Sequence, residues 1–450
     1  MSESSKSTPL KPILSFSAIF FFISVPFFTA NNIQQLVADS INDDYKDAWD
    51  GFKWSGYVSL AILYWANGIT LWLTPSLISY INSKRAIALG AFGFNLSLIT
   101  FMFPFKYGLY FSTILSGLAT SVMWNGQGSY VSTISDDNSI TRDTGIFWAF
   151  LQCGTAVGNV VVAFLFQNTD HIEKTTRSVL YSCLIGFGLV GIFLSFFLKT
   201  PSKEISEKPV KMFVKSVKQL ATKRLALLAI TSAYTGLETC FFATLYGTSV
   251  GFTKAFGSHR KQHAGETGTL IGLGQVCAGL LLILTRKHKK PEFILIIAYV
   301  LSLVTFTCIY LNIPDTATLG DTDELAVIHS SLPLALICAF SLGFIDGCFE
   351  TQIFRYIIKF YAEDSTGPFA IYLSLQALAM GLMYLCSGSF GIHFHCIMLS
   401  ITCTIGTACF FLSLRVKDSD DKVEDNVSKT NSHELYTIET NTAQQIRSTN

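Results

Sequence analysis

The chain alternates long apolar runs with short polar breaks, and that alternation dominates its sequence. Windows of roughly 20 predominantly apolar residues are what a helix needs to cross a hydrocarbon core of about 30 Å. Twelve segments satisfy that requirement: 12–31, 57–81, 86–103, 109–133, 145–166, 179–198, 225–250, 267–285, 293–311, 331–358, 369–390 and 395–414. The predicted fold class is therefore an all-α multi-pass membrane protein with twelve transmembrane helices.

The polar breaks are unequal, and the longest divides the chain. Its organisation reads as a short N-terminus (1–11), a six-helix bundle (12–198), a basic loop (199–224), a second six-helix bundle (225–414) and a tail (415–450). Two six-helix halves joined by a long loop are a common transporter layout. Within the loop, Lys211, Lys215 and Lys218 share one helical face while Phe213, Val217 and Leu220 share another. That pattern predicts an amphipathic helix on an anionic membrane surface, a plain charge anchor being the alternative. The tail is rich in Ser, Thr, Asn and acids and reads as disordered. Tyr436 carries no sorting signal, since Glu439 stands where a bulky apolar residue is needed.

Charge sets the expected orientation. Of 32 Lys and Arg, 24 fall in the segments that are cytoplasmic when the N-terminus is inside, so both termini are read as cytoplasmic. Charged residues make up 14% of the chain, against about 25% in soluble domains. The net charge of +1 offers nothing to nucleic acid. The first apolar run is read as an uncleaved span, because Phe28 occupies the position before Ala30 where a signal peptidase needs a small residue. All 11 cysteines fall inside predicted spans, with no metal-ligand spacing. Asp39, Asp43, Asp44, Asp47 and Asp50 crowd the first external loop, which reads as solvated or as a gatherer of cations. His393 and His395 are read as snorkelling at an interface.

Candidate chemistry lies where polar groups interrupt the apolar runs. An uncompensated intramembrane charge costs about 2.5 to 3.5 kcal/mol, so such groups face a cavity or a partner. Glu238 falls in span 7; Asp346 and Glu350 fall in span 10, four apart and so on one helix face. Arg355, five residues beyond Glu350, is turned away and reads as an interfacial anchor. Asn31, Asn32, Gln34 and Gln35 end span 1, and Asn125 and Gln127 lie in span 4. Hydrogen-bonded helix packing is the alternative role for each. Counting rise from the span ends puts Glu238 and Asp346 about 10 Å apart in depth, with Glu350 deeper still. Gly154 with Gly158, and Gly268 with Gly272, have the spacing that lets helices approach closely.

The stretches NNIQQL, WNGQGSY, RDTGIFWAFLQCGTAVGN, SAYTGLETCFFATLYGTSVG and IDGCFETQIFRYI, spread from Asn31 to Ile357, resemble the uncoordinated-ninety-three-like family of the major facilitator superfamily. The resemblance implies that superfamily's fold, whose spans 1, 4, 7 and 10 line a central cavity. Many such members are nematode proteins, and the likeness implies a nematode source. Two departures stand out. Ser76 and Tyr80 occupy positions where the superfamily has Gly and Asp, leaving only Lys84 and Arg85 of its gating motif, and Glu350 stands where relatives tend to have Asn.

Two functions follow. The resemblance implies a regulatory partner of an ion channel, foremost a potassium channel, or of a receptor. The buried acids imply a secondary transporter of a small solute or cation, coupled to protons or cations through Glu238, Asp346 and Glu350, with Asn125, Gln127, Asn32 and Gln35 on the same cavity. No nucleophile, metal or nucleotide constellation supports catalysis or a cofactor. The expected membrane is the plasma membrane, with an endolysosomal membrane as the other candidate.

Overall fold

The computed structural model describes residues 10–135, 139–167, 171–200, 220–285, 292–361 and 366–416. The basic face of Lys211, Lys215 and Lys218 and the C-terminal tail lie outside the described residues. Among the described residues the chain is helical, and nine of its helices are long and apolar enough to cross a membrane.

The helices are α1 (Leu10–Asp44), α2 (Gly56–Thr70), α3 (Thr74–Ile81), α4 (Ser83–Met102), α5 (Gly108–Ile134), α6 (Ile140–Leu165) and α7 (Lys174–Ser195). There follow α8 (Lys223–Cys240), α9 (Tyr246–Phe252), α10 (Arg260–Thr285), α11 (Phe293–Asn312), α12 (Leu332–Phe360), α13 (Thr366–Ser387) and α14 (Ile392–Ser413). A π-helical turn, Phe241–Leu245, joins α8 to α9 without a break. Ser55 caps α2, accepting from the Val58 amide at 3.2 Å, and Thr222 caps α8 through the Leu225 amide. Exposed Phe92, Phe111, Phe164, Phe193, Ile297 and Val300 form an outer apolar belt suited to lipid.

Packing sorts the helices into two groups. One joins α1 to α6 and α7, α4 to α5 and α7, and α2 to α5; the other joins α8 to α13 and α14, α10 to α12, and α11 to α12 and α14. The groups meet along two seams, α6 against α10 and α2 against α13. Glycine makes the first seam. A Cβ at Gly265 would sit 2.5 Å from the Ala163 nitrogen, and one at Gly272 would just touch Ala156. On the other side of α6, Gly154 and Gly158 lie against Phe21, Ser24, Val25 and Thr29 of α1. Both small-residue pairs therefore serve α6, which is clasped between α1 and α10.

Several expectations need correction. Span 1 does not end at its polar run: α1 continues to Asp44, because Asn31, Asn32 and Gln34 are buried among partners rather than in lipid. The acids that follow are not merely solvated, since Asp44 pairs with the fully buried Arg177 at 2.8 Å. Span 2 is broken between α2 and α3 at Leu71–Leu73, just before Pro75. His395 is buried, its Nδ1 2.7 Å from the Gly391 carbonyl, and His393 stacks on Tyr310. Neither snorkels.

The face opposite Leu10 and Val416, the ends of the described chain, is closed by the segment between α11 and α12. Thr322 bridges to Thr253, and Thr318 accepts from the Tyr57 hydroxyl at 3.0 Å. Asp321 receives Arg260 at 2.7 Å and Lys261 at 2.9 Å. Burial alone would raise the Asp321 carboxyl, but Lys261 and Arg260 hold it below the usual carboxylate value.

Candidate functional site

The site forms where α8 faces α12. The ring of Tyr234 meets that of Phe349 edge-on, centroids 5.1 Å apart. α8 and α12 run in opposite senses, so this contact sets their register. Glu238 lies four residues beyond Tyr234, about 6 Å along the axis, and Asp346 three residues before Phe349, about 4.5 Å in the same direction. The two acids therefore stand at nearly one level, which overturns the expected offset of about 10 Å. The expectation failed because α12, with 29 residues, is longer than the roughly 20 that a bilayer core requires, so depth counted from its end misplaces the middle. Glu350 lies one turn from Asp346 toward the face that carries the chain ends.

Each acid has a different environment. Asp346 is buried and accepts from the Gln275 amide of α10 at 2.7 Å. Glu350, half-buried, accepts from the Gln376 amide of α13, which also lies 3.2 Å from the Tyr372 hydroxyl and 3.4 Å from that of Thr235. Glu238 is 0% exposed, and no amide or basic side chain holds its carboxyl; the donor beside it is the Tyr234 hydroxyl, one turn back on the same helix. Among the described residues no ion pair reaches any of the three; Arg355, half-buried on the same helix, makes none with them.

Aromatic and polar layers bound the acids along the axis. Toward the opposite face, the Asn31 amide donates to the Tyr64 hydroxyl at 3.2 Å, and Thr244 donates to the Asn31 carbonyl at 2.9 Å. The hydroxyl of Thr244 is 2.7 Å from that of Tyr384, whose ring stacks on Tyr64. This layer ties α1 and α2 to the second group. Toward the chain ends, Phe354, one turn past Glu350, meets Trp148 of α6 edge-on at 5.8 Å and Phe369 at 5.0 Å.

The other polar candidates do not join the acids. The Asn125 amide donates to the Leu71 carbonyl, to Ser121 and to the Thr74 hydroxyl, so it satisfies the break between α2 and α3. Gln127 is half-buried on α5. Gln35 accepts from the Tyr57 amide at 3.1 Å and seats the start of α2. Asn32 donates to Asn159 of α6 at 2.6 Å, beside Gly247 and Gly268. Sequence reasoning passed over Gln275, Gln376 and Tyr372. The signal available was a lone glutamine in each of spans 8 and 11, the two spans that flank span 10.

Comparison with known proteins matches this arrangement to a family. A family model described as "Ion channel regulatory protein UNC-93" matches residues 52–411. The chain is 30% identical over 437 residues to the UNC93-like protein MFSD11 of Xenopus laevis, covering 91% of this chain and 96% of that protein. It is 23% identical to UNC93-like protein 3 of Arabidopsis thaliana, over 74% of this chain and 73% of the relative. A Caenorhabditis elegans protein named "Putative potassium channel regulatory protein unc-93" is 23% identical over 51% of this chain and 38% of its own length. The near full-length likeness is thus to vertebrate proteins, and a nematode source finds no support. On the family match and on the extent of the Xenopus alignment, the chain belongs to the UNC-93 family.

Proposed function

We propose that the chain spans the membrane twelve times in two six-helix halves of major facilitator type, with both termini cytoplasmic. We further propose that it works as a secondary transporter of a small solute or cation, coupled to protons or cations at Glu238, Asp346 and Glu350. One observation carries this reading: a fully buried carboxyl with no amide or basic partner stands level with a second acid, between two layers that join the helix groups. A packing carboxyl needs donors. An acid with neither amide nor cation to hold it is suited to take up a proton or cation.

A second reading is supported by the family description and by the name of the C. elegans relative: a regulatory partner of an ion channel, foremost a potassium channel, or of a receptor, in the plasma or an endolysosomal membrane. The two readings differ in what the protein does alone. Purified chain in liposomes with no partner should carry protons, sodium or potassium down an imposed gradient if it transports. Silent liposomes, together with an altered response of a co-expressed channel, would establish the regulatory reading instead.

A further inference from the structure

The groups facing Glu238 come from three helices. Tyr234 lies one turn away on its own helix, Asp346, Cys348 and Glu350 approach from α12, and Cys403 from α14. None is basic. Asp346 and Glu350 each have a glutamine amide to orient them, whereas Glu238 has neither amide nor cation, only the Tyr234 hydroxyl on its own helix. An ionised carboxylate in such a place is uncompensated, at a cost of several kcal/mol.

The means of compensation are few. A divalent or transition metal ion needs several converging charged or soft ligands, and among the described residues no three His, Cys, Asp or Glu side chains gather to hold one. An organic cation needs space, and Glu238 has no exposed surface. A proton needs only one oxygen. We propose that Glu238 is a proton-binding site loaded through Asp346.

The route follows the exposure of the three acids. Glu350 is half-buried, Asp346 is 5% exposed and Glu238 is 0% exposed, so a proton arriving at the more exposed end of the row meets them in that order. In the loading step the O–H bond on Asp346 breaks as one forms on Glu238, and the summed charge of the pair is unchanged. Gln275 keeps Asp346 in place during the exchange. Asp346, again ionised, is then reloaded from Glu350 or water. Exchange of this kind makes the pair a store that fills from one side. The inference deepens the transport reading by naming its coupling ion and the acid that holds it.

Infrared difference spectroscopy of the full-length protein in lipid nanodiscs tests this without a transport assay. A protonated buried carboxyl gives a carbonyl stretching band that shifts in heavy water. Glu238→Gln should remove one such band. Asp346→Asn should leave it in place but slow its shift after transfer to heavy water, and this second variant keeps the test informative if the first fails to fold. Retention of every carboxylic band in a folded Glu238→Gln protein would overturn the site, and an unslowed shift in Asp346→Asn would overturn the route. Loss of the band in a protein that carries no flux would sink the transport reading and leave the proton site standing.

Discussion

Replacing Gly265 by alanine should loosen the seam between the two helix groups. The added Cβ would lie 2.5 Å from the Ala163 nitrogen, 2.8 Å from the Asn159 carbonyl oxygen and 2.9 Å from the Ala163 Cα. These are backbone atoms of α6 and cannot rotate aside. Ordinary contact is about 3.5 Å, so α10 must withdraw by about 1 Å. Overpacking of this kind costs about 1 to 3 kcal/mol. Gly279 on the same helix provides the control, because a Cβ there meets nothing within 4 Å. Alanine at that position should instead gain about 0.5 to 1 kcal/mol from helix propensity. Unfolding of both variants in the same detergent should separate them by about 1.5 to 4 kcal/mol, with Gly265→Ala the weaker. Equal stability of the two variants would refute the close α6–α10 seam.

Three further outcomes are expected. Asp321→Asn should free the segment between α11 and α12, with a loss of about 1 to 2 kcal/mol, less than for a deep ion pair because the Asp321 side chain is 34% exposed. Its folded-state value is depressed, so its contribution is complete above the ordinary value of 3.8 and lost only as pH falls through the lower folded value. Labelling of a thiol placed at exposed Leu325, divided at each pH by the rate of the same thiol in an unstructured peptide, should therefore stay flat down to that range in the parent, while Asp321→Asn should label faster at every pH. A peptide spanning the Lys211, Lys215 and Lys218 face should lose about 1 kcal/mol of binding to anionic vesicles per lysine replaced by Gln, less at high salt; equal binding of both peptides would leave only the charge-anchor reading. Epitopes at either terminus should be reachable only after permeabilisation and one within 41–53 on intact cells, and surface labelling of both termini would overturn the proposed topology.

What could be read from the sequence was whatever depends on neighbours along the chain. Apolar windows mark the helices, and the spacing of Gly154, Gly158, Gly268 and Gly272 marks faces for close approach. That both pairs meet on α6 is a fact of the assembled bundle, with no local signature. The run from Asn31 to Gln35 looks like the end of a span only while its partners are unknown; Tyr64, Asn159 and the Tyr57 amide supply them from other helices. The acids of the site stood out because charge is rare in apolar windows. Their depth did not, since register comes from side-chain contacts such as Tyr234 with Phe349. Gln275 and Gln376 were overlooked because an amide is ordinary within a helix and gains meaning only opposite a carboxyl.

The central claim, that the three acids of the site are working groups, is tested most directly by amide replacement. Glu238→Gln, Asp346→Asn and Glu350→Gln should be compared with the parent at equal expression, in partner-free liposome flux and in the response of a co-expressed channel. Each variant should lose activity in at least one assay, with Glu350→Gln the mildest because its half-buried carboxyl is already held by the Gln376 amide. Parent-like behaviour of all three in both assays would reduce the acids to packing elements and contradict the account.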